Sequence, residues 1–137
     1  MIASDREWHR VAGAPLEEVS KLRSAAPASL PDSYFDLLAW SNGGEGPLGK
    51  QPLYFQLDPV DVAIGTFSRG LDDEFFSGFL MIGSNGGGEY IAFDVRGSAP
   101  WPIVSLDMTN TNLAESVQPV AEDFDTFLSL VGIDSDN

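Results

Sequence analysis

Cysteine is absent from this chain of 137 residues, and histidine occurs only once, at His9. Without cysteine there can be no disulfide framework, no thiolate zinc site and no cysteine nucleophile. A single histidine also excludes most zinc sites and most histidine-based catalytic triads. Because a chain of this length can bury about two thirds of its surface, we expect a hydrophobic core that needs neither metal nor disulfide.

Basic side chains are scarce too: seven lysines and arginines stand against 21 aspartates and glutamates, for a formal charge of -14. The first 23 residues balance four acids with four bases, so the whole negative excess lies after Arg23. Such a surface repels phosphate backbones and anionic lipid and attracts basic partners. The charge therefore favours a basic protein partner over nucleic acid or membrane, although acidity can also serve solubility alone.

Long apolar runs are missing as well. The first residues carry a charge already at Asp5 and lack the apolar region of a secretory signal. No stretch approaches the ~20 apolar residues that would span a bilayer. These features predict a cytoplasmic location.

The N-terminal third predicts two helices. Leu16, Val19 and Leu22 fall on one stripe of the first, and Pro15 suits its first turn. The second helix has Pro31 at its first position and runs for about three turns, and the Asn-Gly-Gly sequence after it favours a left-handed stop.

Short strands follow the helices, and the clearest pair flanks the glycine-rich turn at 83–88. A single helical turn is predicted at 59–65 and an amphipathic closing helix at 120–131. The predicted strands lie at 52–57, 75–82, 89–97, 103–106 and 116–118. Tight turns between consecutive strands predict one α+β domain over residues 1–137, with an antiparallel or mixed sheet of about four to six strands. Two helices at the N-terminus and one at the C-terminus would flank this sheet.

The glycine-rich turn resembles a phosphate-binding loop in composition only. A P-loop needs a lysine and a serine or threonine that lead into a helix. Here the glycines lead into Glu89 and an alternating strand. The segment therefore predicts a hairpin connection with positive φ angles.

Acid pairs are numerous, but their contexts are those of solvated surfaces. They comprise Asp58 with Asp61, the run Asp72, Asp73 and Glu74, Asp123 with Asp125, and Asp134 with Asp136. A hydrolase would need two carboxylates to converge, with the pKa of one raised by an apolar pocket. The run at 72–74 lacks the ligand order of an EF-hand loop. We expect no catalytic residue, no metal and no cofactor, and we expect His9 to be an ordinary histidine.

The three tryptophans, Trp8, Trp40 and Trp101, could each belong to the core or to a binding surface. Trp40 lies one position off the apolar stripe of the second helix, and Trp101 lies between two prolines. An exposed aromatic residue beside acidic loops is typical of a protein-binding hot spot.

Three segments in the same order resemble the SUKH superfamily, also called the Smi/Knr cell-wall-assembly regulator family. These segments are LPDSYFDLLAWSNGGEGPLG at 30–49, MIGSNGGGEYIAFDVRG at 81–97 and VAEDFDTFLSLV at 120–131. The residues that match the family's pattern are Leu30, Pro31, Tyr34, Asn42, Gly43, Gly44, Gly83, Gly86, Gly87, Gly88, Asp94, Phe124, Phe127 and Leu128. The chain departs from that pattern at Asn85, where Asp is common, and the stretch 45–76 matches nothing in it.

The resemblance implies a compact α+β fold without enzymatic activity that acts as a protein-binding module. Bacterial relatives are chiefly thought to be immunity proteins that neutralise polymorphic or contact-dependent toxins, many of them nucleases. Fungal relatives act as scaffolds in cell-wall signalling. A scaffold or regulatory role, a small-ligand site and an acid-pair hydrolase remain the alternatives.

A nuclease toxin carries basic groups, which an acidic blocker could cover by charge complementarity. The hypothesis places seven side chains against the partner: Glu45, Asp58, Asp61, Asp72, Asp73, Glu74 and, as a possible anchor, Trp101. Neutralising 72–74 together should slow association with the toxin and leave the melting temperature almost unchanged.

Overall fold

The computed structural model describes residues 1–69, 78–110 and 112–134. Its six strands form one sheet in which each strand pairs antiparallel with the next along the chain. The helices are α1 (Leu16–Ala25), α2 (Asp32–Trp40), α3 (Val60–Arg69), the single turn α4 (Leu113–Ser116) and α5 (Phe124–Leu130). The strands are β1 (Glu45–Pro47), β2 (Tyr54–Leu57), β3 (Phe79–Ser84), β4 (Glu89–Asp94), β5 (Ile103–Asp107) and β6 (Gln118–Ala121). The predicted α+β class, strand number and flanking helices are confirmed, and the strand pairing is antiparallel throughout.

The two predicted N-terminal helices are present, with small corrections at their starts. Val19 and Leu22 are buried, but Leu16 is 79% exposed because it lies in the first turn, short of the core. Pro31 precedes α2 as its cap residue, so the first helical residue is Asp32. The carboxylate of Asp32 lies near the positive end of the helix, where a negative charge is favourable.

Several elements differ from their predictions. The closing helix, predicted over 120–131, is α5 at Phe124–Leu130, because residues 120 and 121 belong to strand β6. The segment 59–65, predicted as one turn, begins the ten-residue helix α3. Strand β1 lies outside all of the predicted strands and forms because it pairs with β2. Strand β6 lies at 118–121, later than the predicted 116–118, because its register is set against β5.

The sheet has two apolar faces. Helices α1, α2, α3 and α5 pack on one face over the main core, in which Phe55, Ile91 and Phe93 are fully buried. A smaller cluster that includes Phe79 and Leu106 covers the other face. Side chains alternate between the two faces along each strand, so both faces of the central strands are apolar.

Aromatic rings hold α2 and α5 together at the centre of the core. The ring of Tyr34 lies edge-to-face against Phe93 and Phe124, with centroids 5.8 and 5.7 Å away. The ring of Phe127 lies edge-to-face against Phe55 at 4.9 Å. Such ring pairs stabilise the fold beyond the free energy of apolar burial. Three residues of the family pattern, Tyr34, Phe124 and Phe127, therefore serve packing.

The Tyr34 hydroxyl is buried and has no hydrogen-bond partner among the described residues. Burial, and then the charge of Asp58, raises the pKa of Tyr34. A buried polar group without a partner carries a desolvation cost, whereas a phenyl ring of the same shape does not. We therefore expect Tyr34→Phe to stabilise the fold by about 1 kcal/mol, measured by urea denaturation.

Tyr54→Phe is the matched control, because the Tyr54 hydroxyl lies near the surface beside Glu45. It should change the free energy of unfolding by less than about 0.5 kcal/mol. A lower stability for Tyr34→Phe than for the wild type would mean that the buried hydroxyl donates a hydrogen bond that the fold requires.

Candidate functional site

The Asn-Gly-Gly sequence after α2 forms a corner that joins α2, α3 and the end of β2. The Asn42 side-chain oxygen accepts a hydrogen bond of 2.8 Å from the Val60 backbone N–H, which caps the start of α3. Gly43 and Gly44 have φ angles of +108° and +99°, which side chains rarely tolerate. The Gly44 carbonyl accepts from the Leu57 N–H at 3.0 Å. Helix α2 ends at Trp40 through the extended residue Ser41, so the predicted left-handed stop is wrong in detail: the positive φ angles follow at Gly43 and Gly44. The Asn-Gly-Gly residues also position α3.

The N-terminal segment is held against this corner. The buried Ser41 hydroxyl donates to the Gly43 carbonyl at 2.7 Å and accepts from the Trp8 indole N–H at 3.4 Å. The His9 backbone N–H donates to the Glu45 carbonyl at 2.8 Å, in an isolated antiparallel bridge. The segment therefore covers the free edge of β1, which would otherwise expose unpaired backbone groups.

These elements line an open groove with a volume of about 450 Å³. Its lining residues come from the N-terminal segment, the glycine corner and the end of β2: His9, Val11, Asn42, Gly43, Gly44, Glu45, Gln56, Leu57, Asp58 and Pro59. Two of them, Glu45 and Asp58, are acids, and neither Lys nor Arg is among the described lining residues. The groove is therefore a negatively charged depression at one end of the sheet.

The two acids have different surroundings. One Glu45 carboxylate oxygen accepts a hydrogen bond of 2.8 Å from the Gln56 side-chain amide, its cross-strand neighbour. The Asp58 carboxylate is half-buried, and no hydrogen bond to it is found among the described residues. Burial raises the pKa of Asp58, because the charged form loses hydration that nothing replaces. Asp58 is therefore the group in the groove that gains most from a positive partner.

A row of paired residues extends from Glu45 across this end of the sheet. Gln56 pairs with Ser84, whose hydroxyl donates to the Gln56 side-chain oxygen at 3.4 Å. The row continues through the register pairs Ser84 with Tyr90 and Tyr90 with Leu106. The groove thus lies at the same end of the sheet as the turn between β3 and β4.

The predicted hairpin is present, but its turn covers only 85–88, because Gly83 and Ser84 belong to β3. Gly86 and Gly88 have φ angles of +74° and +112°, and the Asn85 side-chain oxygen accepts from the Gly87 and Glu89 backbone N–H groups. The Asn85 amide also donates to the Glu89 carboxylate at 3.3 Å. An ionised aspartate could accept the first two bonds but could not donate the third, so the Asn departure from the family pattern adds a contact.

The structure brings together only some of the predicted binding residues. Glu45 and Asp58 line one groove, and Asp61 is exposed in the first turn of α3, close in sequence to the groove-lining Pro59. Asp72, Asp73 and Glu74 lie outside the described residues. The sequence did not indicate His9 or Gln56 as site residues, and it indicated Asn42 only as part of the family pattern, since only the tertiary arrangement places these residues in the groove.

Trp101 lies at the opposite end of the sheet from the groove. It precedes Ile103, the first residue of β5, whereas the groove end of β5 is marked by Leu106. Its indole N–H donates to the Gly97 carbonyl at 2.8 Å. Trp101 therefore does not belong to the same patch as Glu45 and Asp58. All three tryptophans, Trp8, Trp40 and Trp101, are half-buried and pack against the core.

Within residues 1–69, 78–110 and 112–134, no group of three or more potential metal ligands is placed to hold an ion. None of the helices in these ranges is long and apolar enough to cross a membrane.

Comparison with known families identifies the fold. The family model described as SMI1 / KNR4 family (SUKH-1) matches residues 13–130, which is most of the chain. The chain belongs to the SUKH-1 family. A comparison with curated proteins finds no match. Members of this family are typically immunity proteins and are generally non-catalytic.

The SUKH-1 match begins at Gly13, so the segment that carries His9 and Val11 lies before the matched residues. The groove is consequently built from two sources. The glycine corner and the end of β2 belong to the family domain, and the N-terminal segment adds His9 and Val11 from outside the match.

Proposed function

We propose that this SUKH-1 protein is a bacterial immunity protein that binds and neutralises a polymorphic or contact-dependent toxin. The toxin's basic surface would dock on the acidic groove. The observation that supports this proposal most directly is the pair Glu45 and Asp58 in a groove without a described lysine or arginine. The net charge of -14 supports it in addition, because it steers basic partners toward the protein.

The chemistry of the groove selects for a positive side chain. A lysine or arginine of the toxin would neutralise the half-buried Asp58 carboxylate and compensate the hydration it loses. Glu45, already held by Gln56, would offer a second, pre-oriented carboxylate to the same cation. Pre-organised acceptors of this kind improve affinity because little side-chain entropy remains to be lost on binding.

A nuclease is the class of toxin that fits this surface best, because a nuclease needs basic groups to bind its nucleic acid. A protein that covers those groups blocks substrate binding without any chemistry of its own. In this proposal Asp61, Asp72, Asp73 and Glu74, which follow Asp58 along the chain, also contribute negative charge to binding the toxin. Neutralising 72–74 would then slow association and reduce its salt dependence.

An acid-pair hydrolase is the second candidate, because Glu45 and Asp58 line one groove and the pKa of Asp58 is raised by burial. The groove is open, however, whereas general acid catalysis by a carboxyl group is favoured by an enclosed apolar pocket. Glycosidase activity that Asp58→Asn abolishes would favour the hydrolase, and a catalytically inactive protein that binds a toxin would exclude it.

The proposal is tested by co-expression with the neighbouring gene product. We expect the adjacent reading frame to encode a large toxin with a basic C-terminal domain, and we expect co-expression to rescue cells that express this domain. Purified components should form a complex whose association rate falls steeply with added salt. Toxicity that persists despite equal expression of both proteins, together with no complex at low salt, would contradict the proposal.

A further inference from the structure

A second pocket lies at the far end of the sheet and differs from the groove in its chemistry. It has a volume of about 130 Å³ and is lined by Ser29, Pro31, Pro100, Trp101, Asp123, Phe124 and Asp125. The pocket combines an indole ring with two carboxylates, and no basic side chain is among its described lining residues. Ligand sites for drug-sized molecules are usually about 300–1,000 Å³, so this pocket admits a single side chain.

Two of the pocket groups are held in place by hydrogen bonds within the chain. The Trp101 indole N–H is already bound to the Gly97 carbonyl at 2.8 Å, which fixes the position of the ring. The Asp123 carboxylate accepts the Thr126 backbone N–H at 2.7 Å as the cap of α5, and this bond lowers the pKa of Asp123. Asp123 is therefore ionised at neutral pH, and Asp125 is exposed at the pocket rim.

Elsewhere in this chain, arginine side chains contact an aromatic ring and an aspartate at the same time. The Arg23 guanidinium lies 4.2 Å from the centre of the Phe35 ring and donates to Asp32 at 2.8 Å. The Arg96 guanidinium lies 4.7 Å from the centre of Phe79 and pairs with Asp94 through two hydrogen bonds of 2.9 Å. In both places arginine satisfies an aromatic face and an aspartate at once.

We infer that the pocket of Trp101, Asp123 and Asp125 binds one arginine side chain presented by a partner protein. The guanidinium stacks on the indole and donates to the carboxylates, as the Arg23 and Arg96 guanidinium groups do with their own rings and aspartates. Arginine is favoured over lysine because its planar group can stack and form paired hydrogen bonds at the same time. This inference goes beyond the proposed function, because the pocket shares no lining residue with the groove.

The test is an NMR titration of the full chain with the tripeptide acetyl-Gly-Arg-Gly-amide. We expect a saturable shift of the Trp101 indole signal, assigned by its loss in Trp101→Phe, with a dissociation constant on the order of 1 mM. The citrulline tripeptide has nearly the same shape without the charge and should produce no saturable shift. A response to citrulline equal to that to arginine, or an equal response to the lysine tripeptide, would overturn the inference.

Two charge variants separate the pocket from the general acidity of the surface. Asp125→Asn should weaken binding of the arginine tripeptide about fivefold, whereas Glu122→Gln, an exposed neighbour that does not line the pocket, should leave it unchanged. If the two variants weaken binding of the arginine tripeptide equally, the tripeptide does not bind in the pocket. If the protein forms a dimer that Asp125→Asn dissociates, the arginine in the pocket would come from a second copy of this chain. That result would also overturn the inference that a partner protein supplies it. The groove variant Asp58→Asn should not alter the titration, so the two proposals fail independently.

Discussion

Replacing Glu45 with glutamine and Asp58 with asparagine together is expected to weaken the complex with the toxin about a hundredfold. Removing one member of a desolvated charge pair costs about 2–5 kcal/mol, because the other charge is left without its partner. The two substitutions preserve the shape of the side chains. Glutamine at position 45 also keeps a side-chain oxygen that can accept the hydrogen bond from the Gln56 amide. The measurement is the dissociation constant by calorimetry at a fixed salt concentration, with the dissociation rate as the parameter that changes most.

Asp36→Asn is the matched control, since it removes one exposed acid from α2 without touching the groove. It should alter the association rate slightly and leave the dissociation rate unchanged. If the groove variants bind the toxin as tightly as Asp36→Asn does, the groove is not the binding site and the acidic surface must act elsewhere.

The substitution Asp58→Asn should weaken toxin binding but stabilise the folded protein. Because burial raises the pKa of Asp58 in the folded state, its ionised form disfavours folding. As far as this group is concerned, the folded state is therefore most stable below the pKa that Asp58 has in the unfolded chain. This stability is lost as the pH rises through the raised pKa of Asp58 in the folded state. Asp58→Asn should raise the melting temperature at neutral pH, with a smaller difference under acidic conditions. A residue that lowers stability and raises affinity is typical of a functional site.

Replacing Gly13 with alanine should cause the largest loss of stability among the substitutions considered. A Cβ atom at this position would lie 1.9 Å from the Ala39 carbonyl oxygen and 2.8 Å from its carbon. Both obstacles are backbone atoms of α2, so no side-chain rotation relieves them. The neighbouring residue is also bound there, through the Ala14 N–H to the Leu38 carbonyl at 2.9 Å. We expect a loss of about 3 kcal/mol in the free energy of unfolding, measured by urea denaturation.

Gly97→Ala provides the control, because a Cβ atom at Gly97 would meet nothing within 4 Å. It should change the free energy of unfolding by less than about 0.5 kcal/mol. Comparable stability of the two variants would show that the segment before α1 does not pack on α2 as described. Because Gly13→Ala would displace this segment, it would also move His9 and Val11, so toxin affinity should fall together with stability.

Local patterns predicted the elements that depend on neighbouring residues. The second helix, the hairpin between β3 and β4 and the body of the closing helix were predicted close to where they lie, although the closing helix begins at Phe124 rather than at 120. In each case the signal is a period of 3.6 or 2 residues, or a glycine that permits a positive φ angle. The resemblance to the SUKH superfamily depended on the same segments, and the family match confirms it.

Elements that depend on distant partners were predicted less well. Strand β1 has only three residues, and Gly46 at its centre is typical of a loop. It is a strand because it pairs with β2 on one side, while His9 bridges Glu45 on the other. A Cβ atom at Gly46 would lie 2.3 Å from the Glu7 carbonyl oxygen, so the glycine serves a close approach of two backbones that local sequence does not reveal.

The amino-acid sequence by itself determined the acidic charge, the absence of thiol chemistry, the α+β class and the family, since composition and short-range periodicity are properties of the chain alone. Only the tertiary structure decided that Glu45 and Asp58 share a groove with His9 and that Trp101 lies at the other end of the sheet. The reason is that antiparallel pairing sets which strand ends coincide, and that register depends on contacts between residues far apart in the sequence.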